Sequence, residues 1–354
     1  MLILRPEEVE GLITMSEAID AVERAFADWG AHAEINFARR RLHFGDARLC
    51  WMPAALPSGG KTGLRIQSEI LAVGSGVQTY PSRSPLVDLL FDARSAVPLA
   101  MILSSTQRGR TRDSIALRTS DLMTASISAV GTRWMSRAES QTLALLGSGK
   151  QARNHLVAMK AIRKFARVLV YSPTAAHREH FAAEMSGALG LDIETVGSAA
   201  EAVGKADVVV AATNTNNPVF DGAWLRAGTH VTSIVGSNIG MVQAGTIAQK
   251  RRELDDETLL RADVIGIASR ELAIQDQQGD IYDQVSRGQL RWDEIAELRE
   301  IVAGSRPGRQ SHSDITVFKN NGGQGIAELA IADIILSRAR ERKLGVEIVW
   351  GEGY

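Results

Sequence analysis

Residues 142–152 read TLALLGSGKQA and decide the fold. The first five have the composition of a buried parallel strand, and they run directly into two glycines and a helical pattern. Gly147 permits a tight turn from strand to helix, and Gly149 removes a side chain so that backbone can approach a pyrophosphate. Ala152 is small where the helix packs closely on the sheet. The stretch therefore predicts a turn that holds the linked phosphates of a dinucleotide.

The start of the helix adds to this prediction. Its unpaired N–H groups carry a partial positive charge of about half an elementary unit, which favours phosphate. A G-x-G-x-x-A pattern alone is a weak signal, but this one lies between a strand and a helix. We expect the cofactor to contact all six residues of the turn, which are Gly147, Ser148, Gly149, Lys150, Gln151 and Ala152.

Strand and helix patterns alternate on the C-terminal side of residue 142. Strands are predicted at 142–146, 168–171, 192–196, 207–212, 230–235 and 263–268. Helical patterns lie between them at 151–164, 176–187 and 199–204. This alternation requires crossover connections, so we predict an α/β fold with a doubly wound parallel sheet, a Rossmann domain.

The rest of the chain predicts a second α/β unit. A helix capped by Thr14 or Ser16 is followed by short apolar strands bounded by Gly, Pro, Ser or Asp. A long helix starts near residue 118, and an amphipathic helix covers about 325–342. We place the domain boundary near the long helix, with a return of the chain to the first domain after residue 320.

Composition excludes several classes of function. The chain has 354 residues, and 40 Lys and Arg nearly cancel 41 Asp and Glu, so no attraction to nucleic acid or an anionic membrane is implied. No apolar run reaches the roughly 18 residues of a membrane span, and the N-terminus is too acidic for a signal peptide. The single Cys50 suits a reducing compartment. We expect a cytoplasmic protein without nucleic-acid or membrane partners and without a metal site.

The second predicted strand bears on the choice of cofactor. It ends at 170–172, a little over 20 residues after the turn, where an NAD-selective site usually has Asp or Glu. Here Ser172, Thr174 and Arg178 follow instead. Two hydroxyls and an arginine suit a 2′-phosphate better, so we expect NADP(H) to be favoured, with NAD(H) possible.

Several motifs resemble those of the ornithine cyclodeaminase/mu-crystallin family, which includes an archaeal-type alanine dehydrogenase and reductases of cyclic or linear imines. The resemblance covers nearly the whole chain. Besides the glycine turn, it rests on MPA at 52–54, LRT at 117–119, VGSN at 235–238, GRQS at 308–311 and ITVF at 315–318.

The resemblance implies the arrangement of the domains. Residues 1–124 and 321–354 would form a domain that binds substrate and dimerises, and 125–320 would form the Rossmann domain. Substrate would lie in the cleft between them, against the nicotinamide of the cofactor, in a homodimer. The further cofactor-binding residues that we expect are Thr119, Thr213, Asn214, Gly236, Ser237, Asn238, Asn320 and Gly322.

Arginines are the expected substrate ligands, since a guanidinium pairs bidentately with a carboxylate. The resemblance gives this role to Arg118 and to an arginine near residue 40. Strand alternation places Arg39 and Arg41 on one face and Arg40 on the other, and the choice between Arg39 and Arg41 stays open. Arg65 is a further expected substrate ligand.

Three positions depart from the family pattern. Arg65 replaces a lysine, and arginine is a poor general acid or base. Asn238 replaces an aspartate, so it orients by hydrogen bonds but takes no proton. Cys50 stands where ornithine-specific members have a glutamate. These changes argue against ornithine cyclisation and leave hydride transfer, which resides in the nicotinamide, intact. We expect Arg65, Arg118 and Asn238 to be catalytic.

Three functions follow from this pattern. The first is an NAD(P)H-dependent reductase of an α-imino acid, or an amino-acid dehydrogenase, acting on a small amino or imino acid. The alternatives are an ammonia-lyase that recycles its NAD, and a cofactor-binding protein without catalysis. The group that moves the proton is left open among Asp280, His312 and Asp314. An arginine-rich insertion at 106–112 is expected to be a surface loop or a cover over an anion.

Overall fold

The computed structural model of the chain describes residues 1–72, 74, 80–104, 119–236 and 238–349, and of residues 119–121 it describes the backbone alone. Arg118, Ser237 and the insertion at 106–112 therefore lie outside the described residues, as does the side chain of Thr119. Among the described residues, no helix is both long and apolar enough to cross a lipid bilayer.

The first sheet is mostly antiparallel and uses both ends of the chain. Its strands are β1 (Leu2–Leu4), β2 (Arg40–Phe44), β3 (Ala47–Leu56), β4 (Lys61–Ile70), β5 (Ser82–Arg83), β6 (Leu86–Asp92), β7 (Pro98–Ser104) and β16 (Val346–Glu347). They run in the order β16-β1-β7-β6-β4-β3-β2, and β5 pairs with β4. Strand β3 buries alternate residues, and its partner β4 buries Arg65 and Glu69, as expected for a sheet with one covered face.

The second sheet is parallel throughout. Its strands are β8 (Thr142–Leu146), β9 (Arg167–Tyr171), β10 (Ile193–Thr195), β11 (Val208–Ala211), β12 (His230–Ser233), β13 (Val264–Ile267), β14 (Ala296–Glu297) and β15 (Thr316–Lys319). The order is β10-β9-β8-β11-β12-β15-β13-β14. It reverses between β8 and β11, where a doubly wound sheet binds its ligand.

Helices cover both sheets. They are α1 (Pro6–Val9), α2 (Met15–Ala31), α3 (Thr119–Met135), α4 (Lys150–Ile162), α5 (Ala175–Leu189), α6 (Ala199–Lys205), α7 (Ile239–Gln243), α8 (Asp256–Leu260), α9 (Arg270–Asp276), α10 (Tyr282–Ser286), α11 (Leu298–Val302) and α12 (Gly325–Glu341). Thr14 caps α2 through a capping box with Glu17. Helices α2, α3, α4 and α12 contribute to one continuous apolar core.

The prediction of a doubly wound parallel sheet is confirmed, with two strands missed, the two-residue β14 and the central β15. Strand β15 pairs with β12 and β13 near the middle of the sheet and is buried at all four positions. The lysine at 319 argued against a buried strand, because lysine is almost never fully buried unless it is paired. Asp280 neutralises that lysine at 2.6 Å. The predicted boundary between residues 124 and 125 falls inside α3, which continues from one unit into the other.

Candidate active site in the cleft between the sheets

The glycine turn has the geometry of a phosphate cradle. Gly147 has a φ of +121°, and a Cβ there would lie 2.4 Å from the carbonyl oxygen of Ala212, so glycine is required. Gly149 is the N-cap of α4, and a Cβ there would meet nothing within 4 Å. The turn thus keeps open space in front of the N–H groups that begin α4, which suits a pyrophosphate.

The residues after β9 form the neighbouring part of this site. Ser172 is buried, and its hydroxyl accepts a hydrogen bond from the Ser148 hydroxyl at 3.0 Å. The backbone carbonyl oxygen of Ser172 accepts one from Arg178 at 2.9 Å. Thr174 is exposed and precedes α5. Ser172, Thr174 and Arg178 therefore lie next to the glycine turn.

A cavity of about 390 Å³ joins the turn to the first sheet. It is lined from the second sheet's side by Lys150, Gln151, Gly236, Asn238, Asp276, Asn321 and Gly322, among others. Its basic lining residues are Arg39, Arg41, Arg48, Arg65, Arg83 and Lys150, and its acidic ones are Glu69, Asp276 and Glu328. The excess of positive charge favours an anionic ligand.

Sheet register brings the first sheet's residues to this cavity. In the β3–β4 pair, Met52 lies opposite Arg65, Cys50 opposite Gln67, and Arg48 opposite Glu69. Because residues two apart share a face, the six side chains form three rows along one side of the sheet. All six line the cavity.

The structure distinguishes Arg39 from Arg41. Both line the cavity, while Arg40 is exposed on the other face, 3.8 Å from Glu271. Arg41 forms a bidentate ion pair with Asp276 at 2.6 and 2.8 Å, so its charge is already compensated. Arg39 has no carboxylate partner among the described residues, and its Nε donates only to the sulfur of Met52 at 3.5 Å.

Arg65 is held between two carboxylates. Its Nε and Nη2 donate to Asp88 at 2.7 Å each, and its Nη1 lies 2.5 Å from Glu328. Burial disfavours the charge of Arg65, but the two carboxylates outweigh it and raise the pKa, so the guanidinium stays charged. Sequence analysis missed both partners. The lone acid in the apolar helical stretch 325–332 was the available signal for Glu328.

Besides Nε of Arg41, four buried polar atoms of the cavity lining have no hydrogen-bond partner among the described residues. They are Nε2 of Gln67, Oε1 of Gln151, Nδ2 of Asn238 and Oε2 of Glu328. Leaving such an atom unpaired costs about 1–3 kcal/mol, so a polar ligand in the cavity is strongly favoured. Together with the glycine turn, these atoms fit a nicotinamide dinucleotide and a small polar substrate.

Other predicted site residues hold the surrounding loops. Asn320 donates to the carbonyl oxygen of Thr124 and to Ser128, which ties the end of β15 to α3. Thr213 donates to Glu253, and Asn214 accepts from Arg251.

The three groups left open for proton transfer lie elsewhere. Asp280 is buried in an ion pair with Lys319, and it accepts from the backbone N–H groups of Glu253 and Leu254. His312 is exposed and lies 3.1 Å from Glu139. Asp314 accepts from the N–H groups that follow Arg309 in a surface turn. None of the three lines the cavity.

Comparison with known proteins agrees with this geometry. The family model for the ornithine cyclodeaminase/mu-crystallin family matches residues 1–343. The chain belongs to this family. The resemblance seen in the sequence is therefore confirmed.

Curated proteins that resemble the chain include three different enzymes. Delta(1)-pyrroline-2-carboxylate reductase of Bacillus cereus is 26% identical over 351 residues, covering 98% of the chain and 99% of the relative. Alanine dehydrogenase of Archaeoglobus fulgidus is 27% identical over 349 residues, covering 98% of each. An iminosuccinate reductase of Paracoccus denitrificans is 26% identical over 353 residues, covering 98% of the chain and 99% of the relative.

Solved structures of the family confirm the fold. Delta(1)-pyrroline-2-carboxylate reductase of Thermococcus litoralis, in complex with NADH and L-proline, superposes with a TM-score of 0.80 at 29% identity, covering 98% of the chain and all of the neighbour. An archaeal alanine dehydrogenase dimer with bound NAD gives 0.80 at 27% identity, with 99% of each covered.

Proposed function

We propose that the protein is an NAD(P)H-dependent reductase of an α-imino acid, which in reverse is an amino-acid dehydrogenase. The observation that carries the proposal is a single cavity lined both by the glycine-turn residues Lys150 and Gln151 and by the unpaired guanidinium of Arg39. A nicotinamide cofactor and a carboxylate would therefore meet in one cavity.

Each cavity residue has a definite part in this reaction. Arg39 binds the substrate α-carboxylate, and Arg118, which the sequence predicts for the same role, is its proposed partner. We assign the carboxylate to Arg39 and not to Arg41, because Asp276 already occupies Arg41. Asn238 donates from Nδ2 to the cofactor or substrate. A nicotinamide held by the glycine turn would supply the hydride for the imine carbon. Holding the cofactor and the substrate in the correct relative position contributes about 7–11 kcal/mol to lowering the activation barrier.

The far end of the cavity bears on the substrate side chain. Arg48 and Arg83 both bind Glu69, so two guanidiniums share one carboxylate and one positive charge is left over. Arg83 also lies over the ring of Tyr80, 3.9 Å from its centroid. We propose that this end accepts a side chain with an acidic or hydrogen-bond-accepting group.

A direct spectrophotometric assay tests the function. The loss of reduced-nicotinamide absorbance is followed with pyrroline-2-carboxylate, and with pyruvate or oxaloacetate in ammonium buffer. We expect turnover of carboxylate-bearing imines. The imine that oxaloacetate forms with ammonia carries a second carboxylate and should give the highest kcat/KM. Cofactor binding without turnover of any imine or amino acid would contradict the proposal, and ammonia release from ornithine without net cofactor oxidation would establish the lyase.

The same site is proposed to prefer NADP(H). No acidic side chain occurs among residues 172–178, and Arg178 lies beside the predicted ribose position. In native mass spectrometry with equal NADPH and NADH, we expect NADPH to occupy the protein at least about tenfold more, which is about 1.4 kcal/mol. Arg178→Ala should remove most of this preference, and Arg167→Ala, at the opposite end of β9, should not. Equal occupancy in the parent protein would refute the preference.

We further propose a homodimer. Exposed apolar side chains cluster on β2, β3 and β4, namely Leu42, Phe44, Leu49 and Ile70, and Phe37 ahead of β2 is exposed as well. Clusters of this kind usually mark an interface, and the archaeal alanine dehydrogenase that superposes on the chain is a dimer. The same mass spectra would report twice the 38.2 kDa of one chain.

A further inference from the structure

The cavity contains a buried acid that none of the predicted site residues accounts for. Glu328 lies in the first turn of α12 and is 1% exposed. Its Oε1 contacts Arg65, while its Oε2 has no hydrogen-bond partner among the described residues and belongs to the cavity lining. An unpaired carboxyl oxygen therefore faces the space in which we place the substrate.

Burial favours a proton on Glu328, because its ionised form is a charge inside the protein, and the neighbouring carboxylate of Asp88 adds to this effect. Asp88 and Glu328 share the single guanidinium of Arg65, so the fully ionised cluster carries a net negative charge inside the protein. One proton removes that charge. Asp88 receives two hydrogen bonds from Arg65, whereas Glu328 has one oxygen unpaired, so the proton belongs on Glu328.

The nearby guanidiniums and the start of α12 favour the ionised form of Glu328, but these effects are weaker than the effect of burial. Burial raises the pKa of Glu328 to about 8, against the attraction of Arg65 and Arg39, and the charge of Asp88 adds to the rise. The start of α12 also favours a negative charge, by about 0.3–1 kcal/mol.

The groups that face Glu328 come from several packed elements. They are Arg65 of β4, Asp88 of β6 and Arg39 ahead of β2. Cys50 of β3 lines the same cavity. The ion pairs Asp333–Lys61 and Arg338–Glu17 belong to later turns of α12.

We propose that Glu328 is the proton donor of the reaction, delivering its Oε2 proton to the imine nitrogen, an inference that depends on the proposed reductase function. The C=N π electrons move to nitrogen as the hydride reaches carbon. The O–H bond of Glu328 breaks, an N–H bond forms, and Arg65 stabilises the carboxylate that remains. In the reverse direction the carboxylate takes the proton from the amine. Arg65 is thus a positioning residue that holds Glu328. Neither the guanidinium of Arg65 nor the amide of Asn238 can act as a general acid.

The central test is Glu328→Gln, which keeps an oxygen for Arg65 but has no acidic proton. We expect imine reduction to fall about 100-fold or more, the usual contribution of a positioned acid, with the cofactor Kd within about threefold. In the parent protein, reduction should decline as pH rises through about 8, because the acid is then ionised. The variant should lack this decline.

A second readout is independent of turnover. Pyrrole-2-carboxylate, a planar carboxylate probe, is titrated by calorimetry across the same pH range. Its binding to the parent protein should weaken above pH of about 8, since an ionised Glu328 repels the probe, whereas binding to Glu328→Gln should stay level. Cys50→Ser is the control, because it changes another side chain of the cavity lining and leaves Glu328 in place, so it should keep the pH dependence of the parent.

The outcomes separate two failures. If the parent protein turns over no imine, the proposed function fails. If it does, and Glu328→Gln keeps its rate within about threefold or keeps the alkaline loss of probe binding, Glu328 is not the donor. Should the glutamine variant not fold, Glu328→Asp carries the test. The shorter acid should reduce the rate yet retain a pH-dependent probe affinity, and an unchanged rate would overturn the assignment.

Discussion

Gly149→Val is expected to remove cofactor binding while leaving the fold intact. A Cβ at this position meets no protein atom within 4 Å, and the φ of −85° is ordinary for any residue. The valine would instead occupy the space in front of the N–H groups that begin α4. Hydrogen bonds to a charged group contribute about 1.5–3 kcal/mol each, so losing two raises the Kd about 100-fold or more. Fluorescence titration of NADPH measures this change.

Gly187→Val is the matched control. Gly187 lies in α5, and a Cβ there also meets nothing within 4 Å. Both variants should show similar melting temperatures, but Gly187→Val should keep the parent affinity for the cofactor. Normal NADPH binding by Gly149→Val would show that the phosphates do not lie on this turn.

Arg39→Ala is expected to reduce kcat/KM for carboxylate-bearing imines by about 100-fold or more. Truncating one partner of a buried, hydrogen-bonded charge pair costs about 2–5 kcal/mol. Because Arg39 has no carboxylate partner among the described residues, its removal leaves no unpaired acid behind and should not destabilise the protein. Steady-state kinetics with pyrroline-2-carboxylate, together with thermal unfolding, measures both effects.

The neighbouring residue supplies the control for Arg39. Arg40 is one position along the chain, exposed on the opposite face of the strand, and its nearest acid lies 3.8 Å away. Arg40→Ala should stay within about twofold of the parent kcat/KM, as surface ion pairs contribute little. Equal losses in the two variants would mean that Arg39 acts through general charge and does not bind the substrate directly.

The sequence predicted those parts of the molecule whose local chemistry is decisive. The glycine turn could be recognised because a strand, two glycines and a helix start each leave a local signal. The strands at 142–146 and 207–212 were equally clear, since their apolar runs are bounded by turns. The family resemblance then supplied the two-domain arrangement, which periodicity alone does not show.

What the sequence did not predict depends on distant contacts. Arg39 and Arg41 are equivalent by strand alternation, and only the position of Asp276, more than 200 residues away, separates them. The same holds for Glu328, which meets Arg65 and Asp88 only through packing of the last long helix on the first sheet. Strand β15 was missed because its charged end is compensated by a residue from another loop.

The position of α12 has a consequence for how the protein is made. All strands of the second sheet come from one uninterrupted stretch, 142–319, which can fold as soon as it has been synthesised. The first sheet must wait for α12, which packs on β3, β4 and β6, and for β16, which pairs with β1. A nascent chain would thus acquire its nucleotide pocket early and its buried acid last, so chemistry would begin only when translation of the final helix is complete.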